Sequence, residues 1–433
     1  MASAYLTRTN GTSTEQKIFT FSAWVKRSAI STSGDKVLMA EYTDSNNRMK
    51  LQFKDDDFFE VYQVDGGNIR TQVKTNRKFR DSNGWYHMLI VGDNTQGTNT
   101  NRLKIYVNGV QETSFSVSTY PYSSTIPNIN ENSKTITIGN DDIGGSYFDG
   151  LMTHVNFVDG TALTPTSFGQ SDSNGVWIPK PSPSVTYGTN GFFLKMDNSG
   201  NMGLDSSGNS NNFTTSGTIT QAKDTPSNVF NVLNTLDTSR GLSNGNTTYA
   251  GASAGTVVKG TLAVNSGKWY AECKIVDASE NMIGVLDIGQ APTTNYVGHS
   301  AVGWGIYTGD GNLYNNSSSS SYSSAFSDND IMGIALDMDN NKLYFSKNGV
   351  WQNSGVPTSG STGTGAISIT SGLTMTFCGG RDNASDTASF NFGNGYFGTT
   401  AVTSAGTNAS GNGIFEYDVP TGYTALSTKG LNS

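Results

Sequence analysis

Hydrolysis of a glycosidic bond needs two carboxylates flanking it. A single strand presents them on one face only at alternating positions, as in Glu-x-Asp-x-Glu or its bulged form Glu-x-Asp-x-x-Glu. The chain contains neither pattern. Its densest acidic run, Asp55-Asp56-Asp57 ahead of Phe58-Phe59-Glu60, points consecutive side chains to opposite faces, so a solvated turn is expected there. Asp337-Met-Asp339-Asn-Asn341 opens like a calcium loop, but Lys342 stands where that loop requires Gly and Asn348 where it requires Glu. Hairpin-turn chemistry accounts for it better. His87, His154 and His299 are the whole histidine supply and have no Gly-x-Ser-x-Gly elbow beside them, so sheet packing or exposed polarity is expected of them. Gly309-Asp-Gly-Asn312 and Gly379-Gly380 lack the Gly-Lys-Ser or Gly-Lys-Thr of a phosphate loop. Of the six tryptophans, Trp24, Trp85, Trp177, Trp269, Trp304 and Trp351, four lie in or at the ends of apparent strands, where core packing is the default, and none is nominated as a sugar platform. No catalytic residue is assigned, and the chain is expected not to be an enzyme.

Composition narrows the classes further. Only 14% of residues are charged and Gly contributes 51, so neutral polar groups must solvate the surface, as in turn-rich β structure. Hydrophobic residues make up 35% and aromatic ones 11%, enough to build a core on pleated sheets. A net charge of −8 opposes sequence-independent binding to nucleic acid or to an anionic membrane, since both need a surplus of Lys and Arg. The first residues, Met-Ala-Ser-Ala-Tyr-Leu-Thr-Arg-Thr, show no apolar stretch after a basic start, and no apolar run reaches membrane-spanning length. No secretory signal and no membrane insertion are expected. Cys273 and Cys378 each lie within an apparent strand and are read as buried free thiols.

The elements that must position any site are strands. Phe19, Phe21, Ala23 and Val25 alternate with Thr20, Ser22, Trp24 and Lys26, the pattern of a strand with one face on a core. Further strands are expected at 37–42, 49–53, 58–64, 85–91, 103–107, 135–138 and 150–158, separated by Gly, Asn, Asp and Ser clusters. Helix is expected only as short connecting turns. Two strands, Leu103 to Val107 and Leu343 to Lys347, run into Asn-Gly (Asn108-Gly109 and Asn348-Gly349), the signal of a type I′ hairpin. Between the halves, Gly175-Val-Trp-Ile-Pro-Lys-Pro-Ser-Pro-Ser184 should be a stiff extended connector. The expected organisation is all-β, two tandem antiparallel β-sandwiches at 1–174 and 224–433, joined by a Pro- and Asn/Ser/Gly-rich connector, 175–223, that holds one strand.

Phe19-Thr-Phe-Ser-Ala-Trp-Val-Lys26, Trp85-Tyr-His87, Leu103-Lys-Ile-Tyr-Val-Asn-Gly109, Ile136-Thr-Ile-Gly139 and Tyr147-Phe-Asp-Gly150 resemble the laminin G-like branch of the concanavalin A-like lectin and glucanase superfamily, a jelly roll. Gly267-Lys-Trp-Tyr-Ala-Glu272, Ile283-Gly-Val285, Gly303-Trp-Gly-Ile-Tyr307, Asp330-Ile-Met-Gly-Ile-Ala-Leu-Asp337 and Leu343-Tyr-Phe-Ser-Lys-Asn-Gly349 resemble, in order, a SPRY domain, a sandwich used mostly for protein recognition. With Asp205-Ser-Ser-Gly-Asn-Ser-Asn-Asn-Phe213 and Asp224-Thr-Pro-Ser-Asn-Val-Phe230 as joiners, the combination is similar to structural proteins of tailed, especially marine, phages.

That resemblance implies a virion surface protein, a tail or head fibre, a decoration protein or an adhesin, whose partners are a host surface glycan or neighbouring virion proteins. A purely structural assembly role and a polysaccharide-degrading activity stay open as alternatives, and a fibre role would suit a homotrimer, although no heptad segment drives one. Laminin G-like domains hold calcium at the sandwich rim, which makes Asp141 and Asp142, after Asn140, the metal candidates; no other cofactor is implied. Related phage proteins begin with a further strand ahead of the segment matching Ala4-Tyr-Leu-Thr-Arg-Thr9, so an incomplete sheet edge, open to a strand from another subunit, is expected beside it.

Overall fold

The computed structural model describes residues 4–30, 34–141, 145–251, 257–291, 295–381 and 386–432. The chain divides into two compact units, Met1–Gln221 and Ala222–Ser433. Helix among the described residues is confined to α1 (Thr428–Leu431) and three short 3-10 turns.

The first unit contains β1 (Tyr5–Thr9), β2 (Ile18–Arg27), β3 (Lys36–Asp44), β4 (Asn47–Phe53), β5 (Phe58–Asp65), β6 (Asn68–Lys78), β7 (Tyr86–Asp93), β8 (Leu103–Val107), β9 (Val110–Gln111), β10 (Phe115–Thr119), β11 (Thr135–Ile138), β12 (Gly150–Asp159), β13 (Gly169–Ser171), β14 (Trp177–Pro179), β15 (Phe192–Leu194) and β16 (Thr214–Ser216). An eight-stranded sheet in the order β10-β6-β5-β4-β3-β11-β1-β16 packs on a six-stranded sheet in the order β15-β12-β2-β7-β8-β9. Phe19, Phe21, Ala23 and Val25 of β2 meet Met49, Leu51 and Phe53 of β4 and Phe59 and Val61 of β5 in the core between them. Period-two alternation thus puts one side of each strand into a common apolar layer.

Four expectations are corrected here. The other face of β2 is not solvated: Thr20, Ser22, Trp24 and Lys26 are buried as well. Over that side of the six-stranded sheet, Leu89, Val91 and Val158 pack with Phe168, Tyr187 and Phe193 in a second apolar layer. Residues 175–223 are therefore no free connector. They contribute β14, which pairs with β13, β15, which pairs with β12, and β16, which pairs with β1. Their polar run has its own purpose, since Asp205 accepts from the backbone N–H groups of Phe193, Ser207 and Asn211 while Asn209 and Asn211 donate to the Gly191 carbonyl. Consequently β1 is hydrogen-bonded on both sides, to β11 and β16, and the edge expected to be open is filled from within the chain.

The fourth correction concerns the acidic run. Asp55 is exposed and Asp56 meets Lys74, but Asp57 is fully buried. Its carboxylate takes the Arg27 guanidinium at 3.1 Å and Arg80 Nε at 2.8 Å. Arg27 is itself buried, lies 4.6 Å from the Phe53 ring centroid and donates to the Phe79 and Ala29 carbonyls. Burial lowers its pKa, and Asp57 acts to raise it again. This is an internal ion pair and not a solvated turn.

The second unit contains β17 (Leu242–Ser243), β18 (Thr248–Tyr249), β19 (Val258–Lys259), β20 (Lys268–Ile275), β21 (Met282–Asp287), β22 (Gly303–Tyr307), β23 (Asn312–Asn315), β24 (Ser318–Ser321), β25 (Ile331–Asp337), β26 (Lys342–Lys347), β27 (Val350–Trp351), β28 (Ile367–Ser368), β29 (Met375–Gly379), β30 (Ala388–Asn391), β31 (Tyr396–Phe397), β32 (Thr400–Ala401) and β33 (Thr424–Ala425). One sheet runs β17-β18-β30-β20-β25-β26-β27, with β28 on β26 and β33 on β20; the other runs β19-β29-β21-β22-β23-β24. Between them lie Trp269, Ile283, Val285, Trp304, Ile334, Phe345, Phe377 and Phe390. A second apolar layer, with Tyr270, Tyr344, Phe415 and Tyr423, covers the outer side of the larger sheet. Cys273 and Cys378 are buried and unpaired, and burial pushes both thiols up.

Both sandwiches use the same hairpin device. Asn108 and Gly109 have φ of 50° and 83°, Asn348 and Gly349 of 48° and 79°, the two positive values a type I′ turn requires. In each, the Asn side-chain oxygen accepts from a backbone N–H of the strand paired before it, His87 at 2.7 Å and Ile331 at 2.8 Å. The turn residue therefore also ties its hairpin to the preceding strand.

Candidate functional site

Two clefts open on the first unit. One lies on the outer face of the eight-stranded sheet. In β4, Met49, Leu51 and Phe53 point into the core, so Arg48, Lys50 and Gln52 must point away from it. With Glu60 and Tyr62 from β5, Gln72 and Lys74 from β6, and Asp35, Lys54 and Val117, they line a cavity of about 400 Å³. Glu60 sits opposite Gln52 across the β4–β5 pair. Its two carboxylate oxygens accept from Gln52 Nε2 at 2.9 Å and from Gln72 Nε2 at 2.8 Å. That orients the Gln52 amide, whose Oε1 is buried and has no hydrogen-bond partner, in a residue 2% exposed. The walls carry ion pairs: Lys50 meets Asp141 at 2.6 Å, Lys54 meets Asp35 at 2.8 Å and Lys74 meets Asp56 at 2.6 Å. Arg48 lies 5.6 Å from the Tyr62 ring centroid and has no ion-pair partner among the described residues.

The second cleft, about 610 Å³, lies at the rim. Gln16, Asp65, Arg70, Tyr122, Ser124, Thr125, Ile126, Asn128, Glu131 and Asn132 line it. Beneath it Glu41, fully buried, accepts from the Glu131 N–H and from Asn10 Nδ2. Burial, reinforced by the Glu131 charge, raises the Glu41 carboxyl to about 8. The unfolded chain releases this proton near pH ~4.3, so in the window from there to about 8 the folded state binds a proton that the unfolded state has lost. The contribution is fully present below that window and is lost as pH rises through the folded value. Stability of the first unit should therefore fall as pH rises from 5 to 8, on the order of 1 kcal/mol per unit. Chemical denaturation at stepped pH checks this, and Glu41→Gln should flatten the slope.

Asp141, one of the two calcium candidates, is in an ion pair. Its Oδ2 already holds the Lys50 ammonium, and only Oδ1 is left without a partner, so the described donor set does not fit a divalent cation. Asp142 lies outside the described residues. No group of three or more His, Cys, Asp or Glu side chains able to hold a metal occurs among the described residues, and no described helix is long and apolar enough to cross a membrane.

The histidines are structural. His87 is stacked on Trp24 at 4.9 Å between centroids and receives the Trp177 indole N–H on Nδ1 at 3.0 Å. An indole only donates, so the neutral ring carries its proton on Nε2 and donates it to Ser22 Oγ, 2.8 Å away. That is the wrong direction for a base that activates serine. Burial pushes His87 down to about 3 and His154 to about 4. His299 contacts Ser317 at an exposed position. The Asp337 run is likewise turn chemistry, with the Asp337 carboxylate holding the Asn340 N–H and side-chain amide.

Of the tryptophans, Trp24, Trp85, Trp269 and Trp304 are buried, while Trp177 and Trp351 are partly so. The exposed ring that sequence reading passed over is Tyr122, at 66%. It missed the Gln52, Glu60 and Gln72 ladder too, although the alternation of Arg48, Lys50, Gln52 and Lys54 with Met49, Leu51 and Phe53 signals a polar face.

Residues 1–167 match the family model of the concanavalin A-like lectin/glucanases superfamily, and residues 268–393 match that of the SPRY domain. A search of curated proteins gives no match. Among solved structures, the SPRY domain of human HERC1 is similar at 16% identity, covering 36% of this chain and 96% of that one, with a TM-score of 0.29. The TRIM65 PSpry domain is similar at 15% identity over 37% and 91%, with a TM-score of 0.30. A Bacteroides ovatus protein, provisionally named a carbohydrate binding protein, is similar at 18% identity over 50% and 56%, with a TM-score of 0.34. The protein is thus an all-β chain in which a concanavalin A-like lectin/glucanase domain is followed by a SPRY domain.

Proposed function

We propose that this protein is a non-enzymatic component of the outer surface of a virus particle, holding a host glycan in the sheet-face cleft of its first domain and neighbouring virion proteins through its SPRY domain. The observation that carries the glycan reading is Gln52 Oε1, a buried acceptor oriented by Glu60 and left without a donor. A buried acceptor gains most from a partner that gives it a hydrogen bond. A sugar hydroxyl can do so while accepting from a neighbouring ammonium or guanidinium. The same geometry supports binding over hydrolysis: both oxygens of Glu60 are spent on amides, and Asp35 is paired with Lys54. No second free carboxylate in the cleft lining is placed to act as acid or base. The virion location rests on the resemblance of the two domains and their joining segments to structural proteins of tailed phages.

A glycan array tests the first part. Wild-type protein should retain a subset of glycans, and Gln52→Ala should weaken them about tenfold, the loss of one well-made hydrogen bond. A blank array, with every large contact made to virion proteins in the intact particle, would leave a structural role instead. Reducing-end release from host polysaccharide, abolished by one Asp or Glu substitution, would make it an enzyme. Antibody labelling of intact particles tests the location.

A further inference from the structure

We infer that Lys26 and Asn83 close an intramolecular isopeptide bond, a self-made cross-link between β2 and the turn that leads into β7. The inference is independent of both clefts. It begins with a contact between residues 57 positions apart, in which Lys26 Nζ lies 3.0 Å from Asn83 Oδ1. Lysine on a strand face ordinarily carries its ammonium out to water. Lys26 does not, being 2% exposed and among the largest fully buried side chains of the molecule. Its strand is interior to the sheet, paired with β7 on one side and with β12 on the other, where Leu151 stands directly opposite Lys26. The amine is therefore confined from the strand side.

The turn is pinned as well. Asp81 Oδ1 accepts the backbone N–H groups of both Asn83 and Gly84, each at 2.8 Å, and the Asp81 N–H is donated to Tyr86 Oη at 3.1 Å. Gly84 leaves room for that carboxylate, since a Cβ there would stand 2.4 Å from Asp81 Oδ2. Amine and amide are thus held against each other, one by a sheet and the other by a fixed turn. Such an arrangement makes a slow bimolecular reaction an intramolecular one, with the orientation already set.

The chemistry needs neither cofactor nor oxidant. Lys26 gives up a proton to water, and its Nζ lone pair forms a bond to Asn83 Cγ while the carbonyl π pair moves onto Oδ1. When that pair returns, the Cγ–Nδ2 bond breaks, and Nδ2 leaves as ammonia, which takes up the proton. Ammonium and carboxamide become a secondary amide and an ammonium ion, with no net change in charge. Asn83 is half-buried, so water reaches the turn to carry the proton and ammonia can depart. The competing nucleophile is Gly84 N, whose attack on the same carbon gives a succinimide. An amide nitrogen is the weaker nucleophile, and this one is tied through its N–H to Asp81. Both facts favour Lys26. The bond encloses β3, β4, β5 and β6, so the unfolded first unit is left with a closed loop and fewer conformations.

Mass spectrometry of the full chain, after prolonged incubation of the folded protein at neutral to mildly alkaline pH, tests this. The wild-type protein should be lighter than its sequence by one ammonia. Its tryptic digest should contain one branched peptide, uncleaved at Lys26 and joined to the segment that carries Asn83. Asn83→Ala and Lys26→Arg should each keep the full mass, and Asn83→Ala should melt several degrees lower in the transition of the first unit. The wild-type protein itself carries the readout, so the result stands whether or not a variant folds. A wild-type mass equal to that of the sequence would overturn the proposal. So would ammonia loss confined to a linear peptide containing Asn83-Gly84, or ammonia loss at Asn83 that persists in Lys26→Arg, since either marks a succinimide.

Discussion

Replacing Asp57 by alanine should destabilise the first unit by about 3–5 kcal/mol, the range for stripping one partner from a buried ion pair. The reason is what remains. Arg27 has no route to solvent, and its guanidinium would keep only the Phe79 and Ala29 carbonyls and the Phe53 ring as company. Dipoles alone do not replace a carboxylate for a charge held among Phe53, Phe59 and Phe79. Asp57 also has a φ of 70°, a left-handed conformation that Asp tolerates better than Ala. Differential scanning calorimetry should show the transition of the first unit moving down by several degrees while that of the second stays in place. Pairing the change with Arg27→Met should recover much of the loss, because the stranded charge is then gone. A fully exposed Asp57 would show neither effect.

Replacing Gly284 by alanine should produce a loss of about 3 kcal/mol or more in the second unit, near the upper end for overpacking. Gly284 faces Gly305 across the β21–β22 pair, and an added Cβ would stand 1.9 Å from the Trp304 carbonyl oxygen. The obstacle is backbone, so no rotamer change relieves it, and the strands must separate or shift. Either outcome disturbs Ile283, Val285 and Trp304, which all lie in the core. Urea unfolding followed by tryptophan fluorescence should show a lower midpoint with the first unit unaffected.

Much of the architecture was legible because strand alternation and turn chemistry are local. The Asn108-Gly109 and Asn348-Gly349 hairpins needed only two adjacent residues of the right type. β6 was missed because Asn-Ile-Arg-Thr-Gln-Val-Lys-Thr-Asn-Arg-Lys offers few apolar residues, its pairing with β5 being carried by backbone bonds and by Gln72 and Lys74 on the cleft face. Asp57 was misread since nothing near it in sequence discloses Arg27 thirty residues earlier. The segment 175–223 looked like a linker for a similar reason. Its prolines and asparagines are turn formers, and the partners that use them, His87 for Trp177 and β1 for β16, come from far back in the chain. The candidate sites were the least legible part. Tyr122 is distinguished only by exposure, and Gln52 by an amide orientation that a neighbouring strand imposes.

The pairing of β1 with β16 also bears on how the molecule is made. The chain emerges from the ribosome amino terminus first, yet Tyr5, Leu6 and Thr7 find their partners in Ser216, Thr215 and Thr214. A nascent chain that had reached the prolines near 180 would already hold most strands of both sheets, but one border would be unfinished and β15 absent. Until β16 has been translated, the growing polypeptide offers unpaired strand edges to its neighbours on the same polysome, a setting that favours misassembly between identical chains. Completion of the first unit is thus timed by the late arrival of its last strand, shortly before synthesis of the second begins.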